Sequence, residues 1–217
     1  MEEKPEYFTF TKSFISDSEK RFRTKLINSL AGIRQVALVG TKSSAGVENL
    51  AIFNSVIHLG AHPPLLGLLS RPDTVRRDTL ENMIENGKYT LNFIDRKWVK
   101  DAHQTSARYA KEVSEFSATD FSSEYIGDCS APFVKEAEIK IEMKLQQILD
   151  IEINNTKLMI GSVEWIQVPA ERFTEDCLVK HHNLLLSGGL DAYYSAEMIT
   201  QLEYAKRSGK ENLFETY

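Results

Sequence analysis

Residues 35–92 read QVALVGTKSSAGVENLAIFNSVIHLGAHPPLLGLLSRPDTVRRDTLENMIENGKYTLN, and this stretch decides the fold. Two apolar runs of β-type composition, residues 35–40 and 50–60, lie on either side of a polar loop, residues 41–49. A third apolar run, residues 64–70, ends directly before Arg71. Apolar runs separated by turn residues predict β-strands. The polar residues at the ends of these strands are then expected to lie close together.

The segment after the third run predicts a helix. Asp78 and Glu81 have the spacing of a capping box, with Asp78 in the N-cap position. Apolar residues then recur at helical spacing until Gly87, which is a helix-ending residue. Residues 88–94 predict a further strand.

Regular patterns outside this stretch complete a mainly β fold. Residues 18–30 carry apolar side chains at helical spacing. Residues 137–153 alternate between apolar and polar, as a half-buried antiparallel strand does, and residues 157–168 return as the second strand of a hairpin. Six or seven strands, mostly in hairpin order, predict an antiparallel, Greek-key-like barrel with flanking helices rather than a parallel doubly wound sheet.

The domain organisation follows from these elements. A helix is predicted over residues 98–109, and residues 111–130 predict a surface excursion. A last helix is predicted over residues 195–206, with Met198, Ile199 and Leu202 on one face. We expect one barrel domain, residues 1–195 with a helical extension over the first 30, and a C-terminal helix or tail over residues 196–217.

Composition narrows the class of protein. The chain of 217 residues has 26 basic and 31 acidic residues and a net charge of −5, without a basic block, which disfavours nucleic-acid binding. Its apolar runs are shorter than the roughly 18 residues of a membrane span, and the N-terminus is acidic, so we expect a cytoplasmic protein without a membrane role. Cys129 and Cys177 lack CxxC spacing, which favours structural or surface thiols over a metal site.

Several residues near the predicted strand ends favour an anion site. The loop over residues 41–49 offers hydroxyl and amide groups, and arginines follow the third strand and precede the predicted helix. A first-turn residue such as Thr79 lies where free amides and the helix dipole attract phosphate. A plain hairpin loop and solvated arginines remain the alternative. The candidate residues from this reasoning are Thr41, Lys42, Ser43, Ser44, Asn49, Arg71, Arg76, Arg77 and Thr79.

An ordered set of short motifs resembles a known family. The motifs are Gly40-Thr41, Gly46, Asn49-Leu50-Ala51, Phe53, Ser55, Pro63-Pro64, Asp78-Thr79-Leu80-Glu81-Asn82 and Asn92, followed by Ala131-Pro132-Phe133, Ile160-Gly161-Ser162-Val163 and Gly188-Gly189. Their order and spacing over roughly residues 30–194 resemble the flavin reductase-like family of the FMN-binding split barrel.

The resemblance implies a homodimeric split β-barrel that binds FMN near the subunit interface, with FAD less favoured because the phosphate loop is compact. It places Thr41 and Ser43 beside the cofactor and the backbone of Asn49, Leu50 and Ala51 at the polar edge of the flavin ring. Phosphate or ribityl contacts are implied for Ser70, Arg71 and Thr79, and Arg77 belongs to the same predicted anion site.

The implied function is a reductase or electron carrier that passes electrons from NAD(P)H, or from a small-molecule or protein redox partner, through FMN. Because the cofactor carries this chemistry, we assign no catalytic acid or base. One alternative is a pyridoxamine-phosphate-oxidase-like enzyme on the same barrel, and another is a non-catalytic flavin-binding or interaction protein. Ser187, His182 and Asp191 do not predict a hydrolase triad, since no nucleophile elbow surrounds the serine.

Overall fold

A computed structural model describes residues 7–72 and 77–203 of the chain. The helices are α1 (Lys12–Asp17), α2 (Lys20–Leu30), α3 (Asp78–Asn86) and α4 (Val99–Gln104). The strands are β1 (Ile33–Gln35), β2 (Ala37–Lys42), β3 (Glu48–Phe53), β4 (Val56–Ala61), β5 (Pro64–Ser70), β6 (Lys88–Phe93), β7 (Ser123–Glu124), β8 (Phe133–Val134), β9 (Ile139–Ile151), β10 (Thr156–Gln167), β11 (Leu186–Gly188) and β12 (Ala192–Tyr194).

The main sheet is a barrel. Its seven antiparallel strands have the order β3-β2-β6-β9-β10-β5-β4. The two edge strands, β3 and β4, are joined by only two residues, Asn54 and Ser55. Because so short a link cannot cross an open seven-stranded sheet, the sheet must curl until its edges meet. The predicted fold, a mainly β antiparallel split barrel with flanking helices, is confirmed.

Strand β2 is buried on both faces, which explains its continuous apolar sequence. Ala37 and Val39 belong to the cluster inside the barrel, where they join side chains of β5, β6, β9 and β10. Leu38 faces the opposite way, into a second cluster with Ala102 of α4 and Phe116. The barrel wall at β2 is therefore fixed from both sides.

A small antiparallel sheet, in the order β1-β11-β12, lies outside the main one. In its register Arg34 of β1 is opposite Ser187 of β11. Helix α2 and the β11–β12 hairpin together line a second cavity of about 520 Å³. The small sheet thus brings residues from both ends of the chain beside the barrel.

The apolar run over residues 50–60 is two strands rather than one. The chain leaves the sheet at Asn54 and Ser55, so β3 and β4 become opposite edges of the sheet. The Ser55 hydroxyl donates to the carbonyl of Leu69 at 2.9 Å, and the Leu69 amide donates to the carbonyl of Ser55 at 3.4 Å. These side-chain and backbone bonds stabilise the corner, which the apolar residues on both sides of Asn54 and Ser55 did not predict.

The start of α3 also differs from the prediction. Arg77 is the N-cap residue and makes no side-chain capping bond, and Asp78 is the first helical residue. The predicted capping box is therefore wrong, although Asp78 and Glu81 still lie in the first turn, where their charge complements the helix dipole. The predicted end is confirmed, since Gly87 adopts the left-handed conformation with φ of 68°.

Three further segments correct the sequence analysis. Residues 195–203 contain no helix, and the remainder of the predicted C-terminal helix or tail lies outside the described residues. Ile199 is 97% exposed, so the apolar face lacks the packing that a short helix needs. The helix predicted over residues 98–109 ends at Gln104. The predicted surface excursion over residues 111–130 buries Glu115 and Phe116.

Strand β10 passes unusually close to a buried tyrosine. A Cβ atom added at Gly161 would lie 2.1 Å from the hydroxyl oxygen of Tyr89. That hydroxyl is buried and finds no hydrogen-bond partner in residues 7–72 and 77–203. The contact thus combines a steric limit at Gly161 with an unsatisfied polar group at Tyr89.

Replacing Gly161 with alanine should lower the free energy of unfolding by about 1 to 3 kcal/mol through overpacking. Tyr89→Phe should be neutral or stabilise by up to about 1 kcal/mol, because it removes an unpaired buried hydroxyl. The double variant should lose less than the sum of the two single effects. Urea unfolding of all three variants measures this coupling, and strictly additive changes would contradict the proposed contact.

Candidate functional site

A cavity of about 990 Å³ lies beside the barrel, with both polar and apolar groups in its lining. Its walls come from β3, the end of β5, the start of α3, the loop over residues 105–111 and the β11–β12 hairpin. This volume is at the upper end of the range for small-molecule and cofactor sites. The cavity therefore has room for an organic cofactor together with a second molecule.

The structure brings most of the predicted site residues to this cavity. Seven of them line it: Ser43, Asn49, Ala51, Ser70, Arg71, Arg77 and Thr79. Thr41 is fully buried behind the wall. Leu50 is also fully buried, and its backbone N–H donates to the carboxylate of Glu115 at 2.8 Å. Thr41 and Leu50 therefore support the wall from behind.

A buried hydrogen-bond network fixes one end of the cavity. The side-chain amide of Asn49 donates to the hydroxyl oxygens of Thr41 at 3.2 Å and Thr79 at 3.1 Å. Asn82 of α3 donates to the same Thr41 oxygen at 3.1 Å. Strands β2 and β3 are thereby tied to the first two turns of α3. Because all four residues are at most 7% exposed, these bonds are protected from competing water.

Cationic and hydroxyl groups collect where β5 leaves the sheet. Ser70 ends β5 and is buried, whereas Arg71 is exposed beside it. Arg77 and Thr79 bring the N-terminus of α3 to the same cavity, and Thr156 of β10 contributes another hydroxyl. Guanidinium groups beside a helix N-terminus form a suitable environment for phosphate.

Glu115 is a site residue that the sequence analysis missed. It lies in a short 3-10 helix, Glu115–Ala118, and is only 9% exposed while lining the cavity. Burial raises the pKa of its carboxyl above the ordinary range, although the hydrogen bond from the Leu50 amide opposes this shift. The nearby charge of Asp78 raises the pKa further. The Glu115 carboxylate therefore satisfies a backbone amide of β3, although burial makes its negative charge unfavourable.

Replacing Glu115 with glutamine should change how stability depends on pH. Because the folded-state pKa is raised, the unfolded chain loses its proton first, and stability falls as pH rises from the ordinary glutamate range through the folded-state pKa. The free energy of unfolding of E115Q should lack this fall. Urea titrations at pH 5 and pH 8 measure it, with the exposed Glu112→Gln as the matched control. Parallel pH profiles for wild type and E115Q would exclude this role.

The loop after α4 and the β11–β12 hairpin are the other residues that sequence reasoning missed. Tyr193 lines the cavity, and its hydroxyl lies 2.8 Å from the Nδ1 atom of His103 on α4. The two rings also meet edge to face. This contact joins the hairpin to α4, and so to the loop over residues 105–111 that forms the opposite wall. In the sequence, only the Gly188-Gly189 motif pointed to this hairpin.

The described residues contain neither a metal-binding cluster nor a membrane-spanning helix. Within residues 7–72 and 77–203, His, Cys, Asp and Glu side chains form no cluster of three or more that could hold a metal ion. None of the helices in those residues has the length and apolar character needed to cross a membrane. Both described cysteines are free thiols, buried at Cys129 and exposed at Cys177.

An antiparallel barrel that is closed by a two-residue corner and carries a polar cavity at its strand ends belongs to the split-barrel class. The family model for the flavin reductase like domain matches residues 32–190. Because this match spans most of the chain, the protein belongs to the flavin reductase like family. The resemblance found from the ordered motifs is confirmed.

Solved structures and relatives agree with this assignment. A candidate flavin reductase with a split barrel domain from Shewanella frigidimarina NCIMB 400 is 40% identical, with a TM-score of 0.88, and the match covers 92% of this chain and 100% of that chain. Nitrilotriacetate monooxygenase component B from Bacillus cereus has the same fold, with 21% identity, a TM-score of 0.79 and coverage of 92% and 100%. The uncharacterized protein YwrF of Bacillus subtilis (strain 168) is 30% identical over 144 residues, which are 64% of this chain and 70% of that protein.

Proposed function

We propose that the protein binds FMN in the large cavity and acts as an oxidoreductase that passes electrons from NAD(P)H or a redox partner through the bound flavin. The observation that carries this proposal is the meeting of Arg71, Arg77, Ser70 and Thr79 in one cavity of a flavin reductase like barrel. FMN has a single terminal phosphate, which suits one compact cationic site better than the longer pyrophosphate of FAD does.

The phosphate is assigned to the end of β5 and the start of α3. Arg71 offers an exposed guanidinium, and Thr79 lies in the first turn of α3, where the helix dipole favours an anion. Asn49 holds the Thr79 hydroxyl oxygen at 3.1 Å, which fixes this side chain before a ligand arrives. A preformed site of this kind lowers the entropy lost on binding.

The flavin ring is assigned to the outer edge of β3. In an antiparallel ladder, alternate amides point away from the partner strand. The Leu50 amide points away from β2 and is taken by Glu115, so the next outward amide is that of Ile52, which lines the cavity. Asn49 and Ala51 would then contact the ring with their side chains, and Ile52 would contact it with its backbone. Bound FMN would supply the redox chemistry, and these residues would orient it.

We further propose a cytoplasmic homodimer as the working form. Tyr7 and Phe8 are 79% and 81% exposed, and Leu30 and Ile33 are also exposed around α2 and β1. Exposed large apolar side chains favour association with another protein surface. Sedimentation of the purified protein tests this assignment, and a monomer at micromolar concentration would contradict it.

An absorbance spectrum of the purified protein, followed by anaerobic addition of NADH and then NADPH, tests the redox function. Flavin bands that bleach with either nucleotide would support a reductase and identify its donor. Flavin bands that persist would favour a carrier reduced by another partner. A colourless protein that cannot be reconstituted with FMN would contradict the proposed function and favour an interaction protein.

Replacing Arg71 with glutamine should weaken FMN binding by about 1.5 to 3 kcal/mol, because a charged hydrogen bond to phosphate is lost. Riboflavin, which lacks the phosphate, should bind R71Q and wild type equally. Quenching of flavin fluorescence measures both dissociation constants. Arg96→Gln is the matched control, since Arg96 is exposed, contacts Ser195 and lies outside the cavity. Equal FMN affinity in R71Q and wild type would remove Arg71 from the phosphate site.

A further inference from the structure

The guanidinium of Arg34 is a positive charge in the cavity that has no role in the proposed flavin binding. Arg34 lines the cavity from β1, and its Nε atom is buried without a hydrogen-bond partner in residues 7–72 and 77–203. Among the same residues, the ion pairs involve other lysines and arginines, and Arg34 pairs with no carboxylate. A buried donor without a partner is costly unless a ligand completes it.

Ser187 supplies a second donor beside Arg34. The two residues are directly opposite in the antiparallel β1–β11 pair, so their side chains lie on the same face of the small sheet. Ser187 is 3% exposed and also lines the cavity. Its hydroxyl oxygen accepts from the Asn54 amide at 3.4 Å and so keeps its own hydrogen for donation. A guanidinium and a hydroxyl are therefore available to one anion.

Asn54 holds Ser187 at the barrel corner. Its side-chain amide donates to the carbonyl of Gly189 at 2.9 Å as well as to Ser187. The wall continues into α2 through Thr24 and Asn28, both of which line the cavity. This wall belongs to the small sheet and α2, whereas the flavin phosphate is assigned to β5 and α3. Arg34 is thus supported separately from the arginines assigned to the flavin phosphate.

We propose that Arg34 and Ser187 bind an anionic group, a phosphate or a carboxylate, of the second reactant, meaning the molecule that exchanges electrons with the bound flavin. This inference rests on the proposed function and deepens it, because it makes the second reactant an anion. The volume of about 990 Å³ accommodates such a molecule beside the cofactor. Arg34 is a binding residue here, and electron transfer needs no proton from it.

Calorimetric titration of FMN-loaded protein with inorganic pyrophosphate and, separately, with succinate tests the proposal and distinguishes the two anion chemistries. Wild type should bind at least one of the two probes. Arg34→Gln should weaken that binding about 10- to 100-fold, as the loss of a charged hydrogen bond does. Ser187→Ala should weaken it less, and Arg96→Gln, which removes the same charge outside the cavity, should leave it unchanged.

Three results would overturn the proposal: wild type binds neither probe, R34Q binds as tightly as wild type, or R34Q loses FMN affinity tenfold. The last result would assign Arg34 to the flavin phosphate instead. Failure of the proposed function is recognised separately, because the protein would then hold no FMN. In that case, pyrophosphate titration of flavin-free R71Q against R71Q/R34Q still decides whether Arg34 binds an anion.

Discussion

Replacing Gly40 with alanine should lower the free energy of unfolding by about 3 kcal/mol or more, because the space for a side chain at this position is already filled. A Cβ atom there would lie 2.1 Å from the carbonyl oxygen of Pro132 and 2.5 Å from the hydroxyl oxygen of Thr90. These two oxygens are themselves joined by a 2.6 Å hydrogen bond across the buried face of β2. Either oxygen moving alone would lengthen that bond.

Gly46→Ala is the matched control, since Gly46 lies in the same β2–β3 hairpin. It has φ of 87° and no heavy atom within 4 Å of an added Cβ, so alanine there meets only backbone strain of about 1 to 2 kcal/mol. Urea unfolding of both variants separates the steric contribution to the loss of stability from the contribution of backbone strain. If Gly40→Ala costs no more than Gly46→Ala, the close approach of Pro132 is not what requires glycine at position 40.

The same contact explains three motifs that the sequence analysis matched only by their order. Asn92 donates to the Leu38 carbonyl at 3.0 Å and accepts from the Val134 amide at 3.0 Å. Residues 132–134 are thus fastened to β2 and β6 through Thr90 and Asn92. The Gly40-Thr41 motif, Asn92 and the Ala131-Pro132-Phe133 motif are one packed unit, although more than 90 residues of sequence separate its ends.

Sequence periodicity predicted the strands and hairpins that form between residues close together in the chain. Residues 64–70 match β5, and the predicted hairpin over residues 137–168 contains β9 and β10. Most of the candidate residues between Thr41 and Thr79 line one cavity because they lie at strand ends or begin a helix, whereas Thr41 and Leu50 are buried behind its wall. Such positions meet in any antiparallel barrel of this order, so a sequence pattern is sufficient to find them.

Contacts between distant segments could not be predicted in this way. The Leu50 amide and Glu115 are 65 residues apart, and the serine- and acid-rich sequence around Glu115 is typical of a surface loop. Nothing in the sequence around Arg34 indicates a site, because its position opposite Ser187 depends on the pairing of β1 with β11. The corner at Asn54 was hidden because apolar residues continue on both sides of it. In each case tertiary packing, rather than local propensity, decides the outcome.

Asn49 should be the polar residue with the largest effect on both folding and flavin binding. Asn49→Ala would leave the Thr79 hydroxyl oxygen without its donor and remove one of the two donors to Thr41. Since these groups are buried, the free energy of unfolding should fall by about 2 to 3 kcal/mol. FMN should bind at least about tenfold more weakly, because Thr79 would no longer be held at the start of α3.

Asn86→Ala is the matched control for this prediction. Asn86 also connects α3 to β2, through a 2.6 Å hydrogen bond to the Lys42 carbonyl, but it is exposed and lies outside the cavity. Its loss should cost less than about 1 kcal/mol and leave FMN affinity unchanged. Urea unfolding and flavin fluorescence measure the two effects in the same samples. If Asn49→Ala destabilised the barrel and yet bound FMN as tightly as wild type, the buried network would support the fold without positioning the cofactor.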